Sequence, residues 1–327
     1  MVMAPPETGP AALLHEPGAA PRYGEHARPA ATGEEVLIRV SAAPITPLDR
    51  LCATGRSYFG APATPYVPGV QGVGVVEAGP VPAGTPVWFA TAAGMQPGDG
   101  SMRAWACAPL HDVVALPAGV DPVLVGALGL SAVAAWMAMT GPGELAPGDR
   151  VTVLGAGGVV GQAAIQLARQ AGAARIVAVA RSGAAREQAL RLGADAAVAI
   201  EADDDVDTLA ARLTAAADGP VDLVLDPLFG IPAAAALRTL RVGGRLVNLG
   251  SSAGETAPID SSTLRSRQLQ IRGYTNNELS TAQRREALLH VATQVAAGRL
   301  AVEHQPVALA DVAQAWDRPG PRVVLVP

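Results

Sequence analysis

The chain has 327 residues, half of them apolar and 16% charged, which suits folded domains with sizeable cores and excludes a disordered chain. Its net charge of −5 weighs against an electrostatic nucleic-acid binder, which is ordinarily basic. All 24 cationic residues are arginine, which excludes a lysine Schiff base or a lysine general base.

The N-terminal stretch MVMAPPETGP carries no basic segment and no apolar run, so no secretory leader is expected. Residues 1–120 read as short β-runs punctuated by Gly and Pro: EVLIRVSAAP, VGVVEAG, TPVWFATAA and DVVALPAG. They predict an irregular, barrel-like β domain. Inside it, VPGVQGVGVVEAG at 67–79 crowds four glycines, but Gly69-x-x-Gly72-x-Gly74 is not the dinucleotide-binding order, and the valines alternate with small residues as a strand requires. Cys52 and Cys107 lie far apart and match neither a metal-binding spacing nor a disulfide framework, so a reduced, cytoplasmic protein is expected.

Residues 123–141, VLVGALGLSAVAAWMAMTG, are long and apolar enough for a bilayer span. They are also rich in Gly and Ala and lack basic flanks. Asp121-Pro122 reads as an N-cap followed by an N1 proline, and Gly141-Pro142-Gly143 as a stop, so the segment predicts a buried helix and no membrane association. Strands and helices then alternate. RVTVLG, RIVAVA, AAVAI, VDLVLDPL and GGRLVNLGS read as strands, and VVGQAAIQLARQAGA, AAREQALRLGA, DVDTLAARLTAAA and PAAAALRTL as the helices between them. LQIRGYT and the helix TAQRREALLHVATQVAAGRL extend the pattern. The rhythm predicts an α/β fold with a doubly wound parallel sheet over 121–295, and 1–120 with 296–327 forming the β domain.

VTVLGAGGVVGQAA is a strand, a glycine loop and a helix start. Gly155, Gly158 and Gly161 stand three apart with Gly157 between them, which lets a pyrophosphate approach backbone N–H groups at a helix N-terminus. The predicted cofactor contacts here are Gly155, Gly157, Gly158, Val159 and Val160. An NAD site would carry Asp or Glu at the end of the second strand; this chain has Arg181 and Ser182 there, with Arg186 one turn on, a set suited to a 2′-phosphate. NADPH is therefore the expected cofactor.

The stretches EVLIRVSAAPITPLD, VPGVQGVGVVEAG, GAGGVVG, VDLVLDPLFG, GGRLVNLGSS and RVVLV run through nearly the whole chain, and together they resemble the medium-chain dehydrogenase/reductase superfamily. The likeness is to its zinc-independent quinone oxidoreductases and enoyl reductases, with a GroES-like catalytic domain and a Rossmann domain. In zinc-dependent relatives a histidine stands where this chain has Val70 and cysteines where it has Thr46 and Leu130. The four-cysteine structural lobe is also missing, so no zinc is expected. The resemblance implies a reductase of small electrophiles, with hydride delivered to an activated C=C bond of a quinone, enone or enoyl thioester. A zinc-free carbonyl reductase and a non-catalytic NADPH-binding protein are the alternatives.

The resemblance also points to Tyr58 as a proton or hydrogen-bond donor and to Thr46 as a group beside the nicotinamide, each weighed against a structural role. Tyr66 and Tyr274 are weaker candidates. Leu249, Gly250 and Ser251 are expected on the nicotinamide side, Asp226-Pro227 in a turn shaping the cofactor site, and Asp49 in a structural role. A homodimer is expected from the resemblance.

Overall fold

The computed structural model describes residues 7–327. In chain order the elements are β1 Thr8–Leu13, β2 Arg22–Ala27, β3 Glu35–Pro44, α1 Pro47–Ala53, β4 Gln71–Ala78, β5 Pro86–Ala90, β6 Trp105–Pro109 and β7 Val113–Ala115. Then follow α2 Pro122–Thr140, β8 Arg150–Leu154, α3 Val159–Gln170, β9 Arg175–Ala180, α4 Gly183–Arg191, β10 Ala196–Ala199, α5 Val206–Ala217 and β11 Val221–Asp226. The chain closes with α6 Gly230–Leu237, β12 Leu240–Asn248, α7 Ser261–Ser266, β13 Gln270–Gly273, α8 Thr281–Ala296, β14 His304–Ala308, α9 Val312–Ala315 and β15 Arg322–Val326.

The chain divides into two compact units. Of the described residues, the first holds 7–129, 288–298 and 302–327. Its main sheet is mixed, in the order β14-β15-β3-β4-β5-β7 with β6 also on β3. β14 and β15 are parallel, whereas β3, β4, β5 and β7 run antiparallel to their neighbours. β3 supplies Val36, Ile38 and Val40 to a core that also takes Val76, Phe89, Met102, Val323 and Leu325. Two glycines of the 67–79 stretch are there for packing. A Cβ on Gly74 would fall 2.3 Å from the Arg39 carbonyl oxygen, and one on Gly72 would meet the Phe89 ring at 2.7 Å.

The second unit, 130–287 with 299–301, carries a six-stranded sheet in the order β10-β9-β8-β11-β12-β13, every pair parallel. A helix or longer crossover separates consecutive strands, as parallel pairing demands. β8 lies between β9 and β11, so the strand order reverses at β8, and ligands of such sheets bind at that point, beyond the carboxyl ends of the strands. Val177, Val179, Leu209, Leu213, Val224, Leu237 and Leu246 build one of its cores. The architecture is the α/β one expected: a mixed-sheet unit and a parallel-sheet Rossmann-like unit.

Two local features were not read from the sequence. α1 is a short helix inside the stretch read as all β. α2 passes the length and hydropathy test for a span, but more than half of its apolar window is buried within the protein. Asp121 Oδ1 accepts the Val123 N–H at 2.9 Å, as the cap reading requires, yet the helix breaks at Gly129, where φ is 30° and ψ −129°. A Cβ there would sit 2.1 Å from Gln71 Oε1, so the buried Gln71 amide leaves room only for glycine at the break.

Candidate functional site

The glycine loop of the second unit joins β8 to α3. Gly155 adopts φ +67°, a left-handed conformation that glycine enters at little cost. Gly158 is the N-cap of α3 and has no side chain with which to satisfy the first-turn N–H groups. Gly157 and Gly158 are exposed, and no acidic residue occupies the first turn. Gly161 does a different job: a Cβ there would fall 2.5 Å from the Gly155 oxygen and 2.6 Å from the Ala156 Cα, so its absence lets α3 close on the turn. A tight turn, an open donor rim and a close helix–strand contact are the parts a pyrophosphate cradle needs, and Gly155, Gly157, Gly158, Val159 and Val160 make up this turn and the start of α3.

At the end of the neighbouring β9, Arg181 and Ser182 are exposed, and the Arg181 side chain bonds none of the described residues. Ser182 caps α4, its hydroxyl accepting from the Ala185 N–H at 3.2 Å. Arg186 turns back onto the strand end, donating to the carbonyl oxygens of Ala180 at 3.2 Å and Arg181 at 2.6 Å. Arg186 thus shapes this turn, and Arg181 is the cation it presents outward.

On the other side of β8, the ends of β11 and β12 are tied by Asp226. One carboxylate oxygen accepts the N–H groups of Leu228 and Phe229 at 2.9 and 2.8 Å, and the other accepts the Asn248 amide at 2.9 Å. Burial pushes the Asp226 carboxyl up, while these donors pull it down. The turn so formed holds Phe229 at φ +56°, a strained value for a residue with a side chain. Asn248 also donates to the Gly250 oxygen at 2.8 Å, and the Leu249 N–H reaches the Asp226 oxygen at 2.9 Å. A Cβ on Gly250 would meet the Pro227 oxygen at 2.8 Å. Ser251 bonds Glu255 at 2.5 Å. Leu249, Gly250 and Ser251 are therefore fixed at the same carboxyl edge as the glycine loop. Asn248, which fixes them, was missed in the sequence because nothing there tells it from an ordinary strand-end residue.

In the first unit, Thr46 is the buried N-cap of α1. Its hydroxyl donates to Asp49 Oδ2 at 2.6 Å and accepts the Asp49 N–H at 3.2 Å, while the Thr46 N–H donates to the same carboxylate at 2.8 Å. This reciprocal capping box uses the hydroxyl's one proton. The other Asp49 oxygen accepts the Val70 N–H at 2.8 Å, which pins the start of the glycine-rich strand to α1. Burial pushes Asp49 up; its donors and the nearby Arg322 oppose that. Tyr58 stands apart from this network, 78% exposed at the head of a turn closed by Gly60 N–H to Ser57 oxygen at 3.0 Å, its ring 4.2 Å from that of Phe59. Tyr66 is buried, and burial holds its phenol well above the ordinary range. Among the described residues no group of three or more His, Cys, Asp or Glu side chains is placed to hold a metal ion.

The comparisons agree with this geometry. Residues 159–293 match the family described as zinc-binding dehydrogenase. The chain is 31% identical over 292 residues to a phenolphthiocerol/phthiocerol polyketide synthase of Mycobacterium tuberculosis, a match covering 83% of this chain but spanning only 12% of that protein. It is 27% identical to the quinone oxidoreductase of Lama guanicoe, over 74% of this chain and 71% of the relative. Among solved structures, a mycobacterial protein complexed with NADPH superposes with a TM-score of 0.84 at 22% identity, covering 98% of this chain and 100% of that one. At that identity the likeness shows the fold. The two sheets, the glycine loop at the strand reversal and these relatives together make the chain similar to the medium-chain dehydrogenase/reductases and to their quinone oxidoreductases.

Proposed function

We propose that the protein is an NADPH-dependent reductase of small, electrophilic alkenes and that it works without zinc. One observation carries the reading: the sheet's carboxyl edge joins an uncapped, open glycine turn to a strand end whose outward group is the Arg181 guanidinium and not a carboxylate. A dinucleotide pyrophosphate suits the turn, and a 2′-phosphate suits the cation. The polyketide synthase and quinone oxidoreductase relatives support reduction of an acceptor conjugated to a carbonyl. Val70, Thr46 and Leu130, at positions where zinc-dependent relatives place ligands, support the absence of a catalytic metal.

Bound NADPH supplies a hydride. This chain would orient the acceptor, exclude water and stabilise the charge that develops on the carbonyl oxygen as the alkene β-carbon is reduced. A proton is then needed at the α-carbon. Thr46 is spent as a donor by its bond to Asp49, so Tyr58, solvent-facing at its turn, is the chain's candidate for that proton, with water as the other source. The exposed backbone of β13, the outermost strand of the parallel sheet, supports self-association as a homodimer.

The test is oxidation of NADPH, and separately of NADH, by metal-stripped protein given a small quinone, an enone, an enoyl thioester or a simple ketone. Turnover of the quinone or alkenes with NADPH preferred is the expected result. Turnover of the ketone alone would move the assignment to carbonyl reduction, and bound NADPH with no turnover of any acceptor would count against catalysis.

A further inference from the structure

Beyond the glycine loop, the same edge of the parallel sheet carries a run of side-chain hydrogen bonds to which the proposed reaction gives no part. The Tyr274 phenol donates to Asn276 Oδ1 at 2.6 Å, and Asn276 Nδ2 donates to the Leu130 carbonyl oxygen at 2.9 Å. The second bond fixes the orientation of the amide, because only its nitrogen can donate to a carbonyl. The first must then run from phenol to amide oxygen. The one proton of Tyr274 is committed, and the phenol oxygen keeps its acceptor capacity. No other described protein group donates to it.

Position gives that acceptor a use. Tyr274 directly follows β13, and its N–H bonds the Asn248 oxygen at 2.8 Å, beside Leu249-Gly250-Ser251. A dinucleotide laid across a doubly wound sheet crosses at the strand reversal, here β8. Its 2′-phosphate end belongs on the β9 side, where Arg181 stands, so its nicotinamide end runs over β11, β12 and β13. β13 is three strand spacings from β8, about 14 Å at roughly 4.8 Å each. The outward group on the reduced nicotinamide ring that seeks an acceptor is the carboxamide N–H.

We propose that the Tyr274 phenol oxygen, oriented by Asn276, accepts a hydrogen bond from the nicotinamide carboxamide N–H. The inference rests on the dinucleotide reading and adds a side-chain residue that selects for the amide. It is tested by binding, without turnover. Dissociation constants of NADPH and of its reduced acetylpyridine analogue, in which a methyl group replaces the amide nitrogen, are measured by calorimetry for the wild-type protein and for Tyr274→Phe. One net hydrogen bond predicts that the wild type prefers NADPH by roughly five- to tenfold and that the preference falls to about one in the variant. An equal preference in both proteins, or no preference in the wild type, overturns the assignment; the wild-type ratio alone decides it should the variant not fold. Failure of the wild type to bind either dinucleotide would overturn the cofactor reading, and this inference with it.

Discussion

Thr46 carries two meanings in the sequence, and the structure shows one of them, the helix cap. Its place in PITPLD admits a hydroxyl beside a substrate or a helix cap, and the pattern Thr-x-x-Asp before a short apolar run fits the cap equally well. In the fold both partners of the capping box are satisfied and buried, and the Asp49 carboxylate they share also holds the Val70 N–H. A change at Thr46 should therefore read out in stability. Thr46→Ala is expected to lower the unfolding free energy by about 1–2 kcal/mol, and Thr46→Ser to retain most of it. Denaturant titration of the two variants measures this directly. If Thr46→Ala were as stable as the parent but lost turnover with every acceptor, the hydroxyl would have to be returned to the reacting groups.

Among the elements, those set by near neighbours in sequence could be read from it. The cap and N1 proline of α2, the glycine loop before α3 and the period of α5 all depend on residues within a turn or two of each other. What could not be read depends on distant partners. The break at Gly129 packs against Gln71, 58 positions earlier by the numbering, and the turn after β11 is held by Asn248, 22 positions after Asp226. α7 offers an element-scale test of electrostatics. Its cap, Asp260, accepts from Thr263 N–H at 2.7 Å, Thr263 hydroxyl at 2.8 Å and Ser262 hydroxyl at 2.6 Å, with Arg238 at 3.6 Å. These donors, the Ser262 hydroxyl first, hold the carboxyl well below the ordinary carboxylate range. Between the two values the unfolded chain binds the proton more readily, so the stabilisation is present above the ordinary value and is lost as the pH falls through and below it. Asn can also cap, so Asp260→Asn removes the charge and keeps the cap. The wild type should be the more stable at about pH 6, and its lead should narrow progressively toward about pH 3 in parallel denaturation curves. A constant gap across that range would mean the charge contributes nothing.

At the scale of the whole molecule, the chain keeps two sets of residues in two separately cored units. The groups proposed to hold the dinucleotide sit in the parallel-sheet unit, on the ends of β8, β9, β11, β12 and β13. Thr46, Tyr58 and Val70 belong to the mixed-sheet unit. The alternation of strands and helices follows from local rhythm, which explains why the parallel sheet and its glycine loop were legible from the sequence. Tyr58, proposed to meet the acceptor, lies on a turn whose conformation the sequence does not fix, so it could be named but not placed. This division makes a prediction about where a ligand is felt. A molecule that binds only the folded chain adds RT ln(1 + [L]/Kd), about 2.7 kcal/mol at a hundredfold excess over Kd. NADPH at that excess should raise the unfolding free energy by about this amount, and NADH at the same concentration by less, because it brings no phosphate to Arg181. Amide hydrogen exchange should slow at 155–161, 181–186 and 249–251 in the parallel-sheet unit. Protection that appeared with NADPH and NADH alike would assign Arg181 to the solvated surface and leave the glycine turn as the only phosphate contact. Protection absent from 155–161 with either dinucleotide would remove the basis for a reductase altogether.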